Sequence, residues 1–398
     1  MNNLLKCLKL CLFNFFLILL ISGCNSDPTS VGYNLLEDVN KIKLNEFDTN
    51  VKNVKTNSYT YKKTISLGVA DKLLLGKNSF VESSFLLRFS IYLADSIVNK
   101  IKENKLQIVE TWMDMKVKYS LGDKSLPFDF TVHQVRNDWS SEGFNYDSLK
   151  VLNYDATDVS YQKSITDTLV KFNLNQNAIF EWLKYSVDST SAPKNYGLLF
   201  KPTPNTQRFL GFQAYQLTSD VDVPTLYIVF EQPSVFKDTI LVSPYMDISV
   251  VNGTEINSPN DIVLQGSLGY KGYLYFDISD LPKNIIISKA TLELSVDTLK
   301  TIDGSPSSNS ILVKILEDST NKTYTSDSSY YSTLSRTGNL YSGDISWMVQ
   351  KWISNEVENQ GLELYLADEV SSVARIWLYG SKNSEALRPR LKIYYLQK

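Results

Sequence analysis

The sequence predicts an all-β protein made of two tandem jelly-roll-like β-sandwich domains, each with one short helix. Three observations carry this. The first is a duplication: Trp182 leads to GLLF (197–200) and PTLYIVF (224–230), and Trp352 leads to GLEL (361–364) and PRLKIYY (389–395), with the glycine and proline 27 and 28 residues apart. Shared order and near-equal spacing mean two copies of one unit, and repeats are settled before any motif is read. The second is period-two alternation: Met113, Met115, Val117 and Tyr119 interleave with charged residues, as Leu292, Leu294 and Val296 interleave with Glu293 and Ser295. Such alternation buries one face of a strand and wets the other. The third is the lack of helical patterns between successive strands, which a parallel α/β fold would need.

The elements follow in order. Lys6 and Lys9 precede an apolar run, Phe15 to Ile21, and then Ser22, Gly23 and Cys24. This reads as a lipoprotein signal peptide over 1–23, with Cys24 the lipidated residue. The run is far short of the roughly 20 residues that span a bilayer. A lipidated tether is expected over 24–40, a first module over 41–232 and a second over 238–398. The junction falls where Pro233 ends a strand, because proline cannot donate to a ladder. One helix is expected per copy. Asp344 can cap a helix carrying Ile345, Met348, Val349, Trp352 and Ile353, and Ala178, Ile179, Trp182 and Leu183 fall at matching offsets.

Composition narrows the chemistry. The three cysteines are Cys7 and Cys11, in the expected signal peptide, and Cys24, so the folded part carries no thiol for disulfides, catalysis or metal. Without the signal peptide, 38 basic residues face 43 acidic ones, with no basic block, so no nucleic-acid partner is expected. His133 is the only histidine and lies in an alternating strand. One histidine cannot build a zinc site, and a strand position suits a structural role better than a triad. Structural calcium held by loop carboxylates is the only cofactor left open, with no ligand set to name. Asp220 and Asp222 read as loop charges.

Aromatic residues are the stronger hint, since tyrosine and tryptophan pair a flat apolar body with a polar tip and so suit stacking on sugars. The chain has 24 Tyr and 6 Trp. Trp139, Phe144, Tyr146 and Tyr154 lie in a long loop of the first copy; Tyr324, Tyr330, Tyr331 and Tyr341 lie in the equivalent region of the second. In ARIWLYG (374–380), alternation assigns Ile376 and Leu378 to the core. That leaves Trp377 and Tyr379, with Arg375, as the candidate glycan platform; Trp139, Tyr146, Tyr330 and Tyr331 are candidate loop contacts.

The order LYFDI (274–278), ILVKILED (311–318), VQKW (349–352), GLEL and SEALRPRLKIYY (384–395) resembles the DNRLRE domain, also known as carbohydrate-binding module family 96. The first copy matches more weakly: it keeps LLRFS (86–90), HQVRNDW (133–139), FEWL (180–183), GLLF and PTLYIVF, but lacks the Pro-Arg pair. The resemblance implies extracellular modules in contact with glycan. The lipobox, the VGYNLLED stretch (31–38) and the paired body also resemble surface lipoproteins of Bacteroidota. Three functional readings stand open. The first is a non-catalytic outer-membrane lipoprotein, exposed at the cell surface, that is membrane-bound through its lipid anchor and binds polysaccharide. The alternative is a structural or adhesive envelope lipoprotein with a protein partner; the third is a polysaccharide hydrolase or lyase.

Overall fold

A computed structural model describes residues 43–215, 221–324 and 330–397. Cys24, the expected tether and Asp220 lie outside the described residues. No helix among the described residues is long and apolar enough to cross a membrane.

The protein is all-β, with two large antiparallel sheets of twelve strands each that curl into sandwich-like units. The sheets enclose separate cores. One holds Phe85, Phe130, Phe172, Trp182 and Phe200; the other holds Leu274, Leu292, Val313, Tyr341, Met348 and Leu391. The alternating residues fall as expected, with Met113, Met115, Leu292 and Leu294 fully buried. The repeated glycine has a backbone reason. Gly197 and Gly361 both adopt φ +92°, and a Cβ would stand 1.9 Å from the Leu87 carbonyl oxygen at the first and 2.9 Å from that of Leu274 at the second. Only glycine meets both demands without strain.

The helices are Asp95–Lys102 (α1), Tyr146–Val151 (α2), Gln176–Val187 (α3) and Ser346–Ile353 (α4). Helix α3 buries Ala178, Ile179, Trp182 and Leu183, and α4 buries Met348, Val349 and Trp352, so the repeated stripe is core-facing in both copies. Asp344 accepts from the Ser346 N–H at 2.7 Å, although the residue in the cap position of α4 is Ile345. Among the described residues, the expectation of one helix per module holds for the second copy, while the first carries three, because its longer connectors add α1 and α2.

The copies do not fold as consecutive blocks. Lys43–Asp48 pairs with Arg390–Gln397, and Thr56–Lys62 pairs with Tyr270–Phe276, so both strands at the start of the first copy join the second sheet. Reciprocally, Phe236–Val242 pairs with Thr225–Gln232, and Pro244–Gly253 pairs with Val81–Phe89 in the first sheet. The expected boundaries, 41–232 and 238–398, thus cut across both sheets. The first module comprises strands from Lys72 to Gly253; the second combines 43–62 with 261–397. Pairing register is invisible to a repeat comparison, which is why the sequence places these strands with the copy that they precede.

A third apolar cluster joins the modules, with Leu74, Val81, Tyr119 and Phe209 meeting Leu268, Tyr270 and Val373. Gly304–Ser305 of the second copy pairs directly with Gln107–Leu121.

The closing strand explains why only the second copy has the Pro-Arg pair. Arg390 grips Asp48, which is 4% exposed, with Nε 3.1 and 3.0 Å from its two carboxylate oxygens and Nη2 completing the fork. This bidentate pair is the stronger kind of hydrogen-bonded ion contact. Thr225 holds the corresponding place in the first copy, where the adjacent strand arrives by a tight turn and needs no clasp.

The Arg390 hydrogen bonds hold the Asp48 carboxyl below its ordinary value of 3.8. A lowered folded-state pKa contributes stability above the unfolded value and loses it as pH falls through the folded one. Arg390→Ala should therefore cost about 1.5–3 kcal/mol at pH 7, read from the urea midpoint. The gap from the parent protein should narrow below about pH 4. An unchanged midpoint at pH 7 would mean that the strand is held by its ladder alone.

Candidate functional site

Aligning the copies by their paired strands isolates one row of side chains on the outer face of each sheet. In the first module the row is Ile248, Leu86, Leu199 and His133. In the second it is Tyr59, Tyr273, Glu363 and Lys314. The next row adds a Val250-to-Tyr61 and a Ser84-to-Lys271 difference. Side chains across a sheet form one surface, so the same face is largely apolar in one module and polar and aromatic in the other.

In the first module the long loop covers this face. Trp139, Leu152 and Val135 pack on Leu86, Leu199, Ile248 and Val250. The Trp139 indole N–H donates to the Tyr196 carbonyl at 2.8 Å, so this candidate contact is a satisfied core residue. His133 is similarly committed, with Nδ1 2.9 Å from the Asp155 carbonyl and Nε2 2.8 Å from Thr131 Oγ1. Burial pushes its imidazole below the usual value. Of the loop candidates, Tyr146 stays partly exposed; it borders a cleft of about 450 Å³ with Lys62, Lys150 and Asn252, and a neighbouring one of about 180 Å³ with Tyr154 and Lys201.

In the second module the equivalent face is a network around Glu363, whose side chain is 0% exposed. The carboxylate accepts from the Tyr61 and Tyr324 hydroxyls and stands 3.6 Å from both the Lys63 and Lys271 ammonium groups. Lys271 also meets Glu369 Oε2 at 3.2 Å, while Glu369 Oε1 is buried without a partner. Burial raises the Glu369 carboxyl above its ordinary value, against the pull of Lys271. Lys322 donates to the Tyr59 hydroxyl at 2.6 Å and lies 4.7 Å from the Tyr273 ring centroid, and Tyr59 stacks on Tyr273 at 4.6 Å. Burial pushes the Tyr61, Tyr324 and Tyr365 hydroxyls well up and Tyr273 to about 12, so these groups act as donors, not as bases, at neutral pH.

Lys314 differs from its neighbours. Among the described residues its ammonium makes no hydrogen bond or ion pair, and it lies 4.8 and 5.5 Å from the Tyr324 and Tyr365 ring centroids. Burial lowers its pKa. A cation held over aromatic faces is stabilised by their quadrupoles without using its N–H donors.

Thr56–Lys62 and the residue after it supply Tyr59, Tyr61 and Lys63, so the network exists only because the N-terminal strands cross to this module. Sequence reading missed these three and Glu363. The available signal was the single charged letter in GLEL where GLLF has leucine.

The ARIWLYG strand alternates as expected, with Ile376 and Leu378 fully buried and Trp377 and Tyr379 partly exposed. Trp377 Nε1 donates to Asp261 Oδ2 at 2.8 Å and its ring lies 5.1 Å from the Lys300 ammonium. Arg375 leaves this stripe: its guanidinium stacks on Phe80 at 4.0 Å and its Nε donates to Gln265 at 3.0 Å, which turns it toward the first module. Tyr330 and Tyr331 are 64% and 50% exposed, and Tyr330 leans on Trp347. Tyr341 is core, and Asp222 bridges Lys116 and Lys118. Among the described residues no group of three or more His, Cys, Asp or Glu side chains is placed to hold a metal ion.

No family model and no curated protein matches this chain. Two solved structures are aligned with it: one titled "BspA_C_WT", at 11% identity over 81% of this chain and 90% of that one, and one titled "Streptococcus agalactiae AgI/II polypeptide BspA C terminal domain (WT)", at 10% identity over 81% and 89%. Both have a TM-score of 0.17, too low to bear on fold or function.

Glu363→Leu, which installs the first module's residue, should strand the Tyr61 and Tyr324 hydroxyls and take a counter-charge from Lys63 and Lys271. Removing one member of a buried ion network costs about 3–5 kcal/mol, to be read from the urea midpoint. A loss below about 1 kcal/mol, the worth of an exposed ion pair, would show the network to be solvated.

Proposed function

We propose that this chain is a non-catalytic, lipid-anchored protein of the bacterial cell envelope whose second module binds polysaccharide through its outer face. The observation that carries the reading is the inversion between the duplicated faces: apolar and covered by the long loop in the first module, a tyrosine and lysine surface in the second. A change confined to the outer face leaves the inner core residues, and hence the fold, the same in kind. Partly exposed Tyr59, backed by the buried Tyr273, offers an apolar ring for sugar C–H surfaces. Lys314 offers unpaired donors. Lys63, Lys271, Lys314 and Lys322 outnumber Glu363 and Glu369, which favours glycans bearing carboxylate or sulfate groups over neutral ones.

A non-catalytic reading is supported by how the reactive groups are spent. His133 is bound at both nitrogens, Glu363 is enclosed, and the network tyrosines resist deprotonation. The lipobox at Cys24 and the resemblance to carbohydrate-binding module family 96 agree with a glycan-facing lipoprotein.

Affinity gel electrophoresis against acidic and neutral polysaccharides tests this. Retention by an acidic glycan should weaken as salt rises and should be lost in Lys314→Ala and Tyr365→Ala, both with the parent's thermal midpoint. Retention that survives both changes but vanishes in Trp377→Ala would move the contact to the ARIWLYG strand. No retention on any glycan would leave the structural or adhesive reading.

A further inference from the structure

A second difference between the copies lies beside the repeated tryptophan. In the first module the chain leaving Val81–Phe89 forms α1, which packs on α3; Ile97 and Ile101 join the core that contains Trp182. In the second module the corresponding connector, 277–285, contains no helix. A cavity of about 230 Å³ remains between this connector and α4. Trp352 borders it, and the Trp352 indole N–H is buried with no acceptor. Leaving such a donor unpaired costs about 1–3 kcal/mol.

The remaining walls fit a polyol. Leu281 and the indole supply an apolar side, Asp277 and Asn359 border it with side chains already hydrogen-bonded to the backbone, and the other polar lining side chains include Tyr275, Lys283, Asn355 and Glu358. None of these four side chains makes a hydrogen bond or ion pair among the described residues, so donors and acceptors are both free. Asn355 follows α4 with φ +55°, a left-handed position that asparagine tolerates and that ends the helix at the cavity's edge. Ligand cavities pair an apolar lining with a few directed polar groups, and this one falls below the roughly 300 Å³ at which drug-sized sites begin. It has room for one ring.

We propose that the cavity between α4 and the 277–285 connector binds a single sugar ring, with Trp352 as its apolar wall and Glu358, Asn355 and Lys283 as hydroxyl partners. The choice of a sugar rests on the glycan reading above, but the site is separate from the Glu363 face. A terminal residue of a glycan, or a free monosaccharide, would satisfy it.

The test titrates the full chain, labelled with ¹⁵N-tryptophan, with glucose, galactose, N-acetylglucosamine and glucuronate. One indole N–H signal, the one lost in Trp352→Phe, should shift saturably with at least one of these. Glu358→Ala should weaken that sugar about tenfold, the loss expected for one hydrogen bond to a charged group. Should Trp352→Phe not fold, loss of affinity in Asn355→Ala together with Glu358→Ala assigns the site. No saturable shift with any of the four sugars overturns the proposal, as does a shift unaltered by Glu358→Ala. Polysaccharide retention through Lys314 without a monosaccharide shift sinks this cavity alone; a shift without retention sinks the outer-face reading alone.

Discussion

The pairing of the N-terminal strands with the second sheet is the constraint on which the rest of the molecule depends. Lys43–Asp48 lies against Arg390–Gln397, so the first and last described strands meet in one ladder. Neither module is complete without strands from the other copy. An antiparallel edge left open presents unpaired N–H and C=O groups and invites association; here Lys43–Asp48 and Phe236–Val242 cover the closing strands of the two copies and become the outermost strands themselves. The nine residues between Lys62 and Lys72 can span at most about 30 Å, so the crossing also keeps the two modules close. The apolar cluster at their junction and the short Gly304–Ser305 ladder reinforce that closeness.

The crossing also fixes where polar chemistry can sit. A strand added to a sheet contributes both of its faces, one to the core and one to the outside. Thr56–Lys62 brings Ser58 inward and Tyr59 and Tyr61 outward, opposite Tyr273 and Lys271. Pro244–Gly253 brings Ile248 and Val250 to the matching outer positions of the first module, where Trp139 and the long loop cover them. An enclosed charge such as Glu363 is tolerated only with partners that satisfy it. Its hydrogen-bond donors Tyr61 and Tyr324 lie 302 and 39 residues from it in the sequence.

The legible part of this structure was whatever repeats or alternates. The Trp182 and Trp352 stripes, the glycines at 197 and 361, and the inward Ile376 and Leu378 could all be read from spacing, because each follows from local geometry. Partner choice between strands could not. Thr56–Lys62 pairs with Tyr270–Phe276, more than 200 residues away, and nothing in either segment alone states that register. Trp139 was misread for a related reason: aromatic residues in a loop look exposed until the loop is known to fold back on an apolar face. Arg375 was grouped with Trp377 by alternation, yet its length lets it reach across the junction to Phe80. The fold class survives such errors because it rests on pattern, while the site does not, because it rests on which patterns meet.

Duplication then supplies what a single domain cannot: an internal control. With the inner face under the same packing demands in both copies, differences on the outer face are free of the core's constraints. The row Ile248, Leu86, Leu199, His133 became, or arose from, Tyr59, Tyr273, Glu363, Lys314, while the inward neighbours Leu87 and Leu274, Leu198 and Leu362, and Val132 and Val313 stay apolar in both copies. Random surface drift would scatter polar residues over the sheet. Here they converge on one enclosed carboxylate and on an ammonium between two rings, at the cost of desolvating both. Burying charge opposes stability unless it is well paired, and the first module shows that the fold does without it. A costly arrangement that the fold does not need is what the proposed glycan contact would account for, and it sets the second module's outer face apart from its covered counterpart in the first.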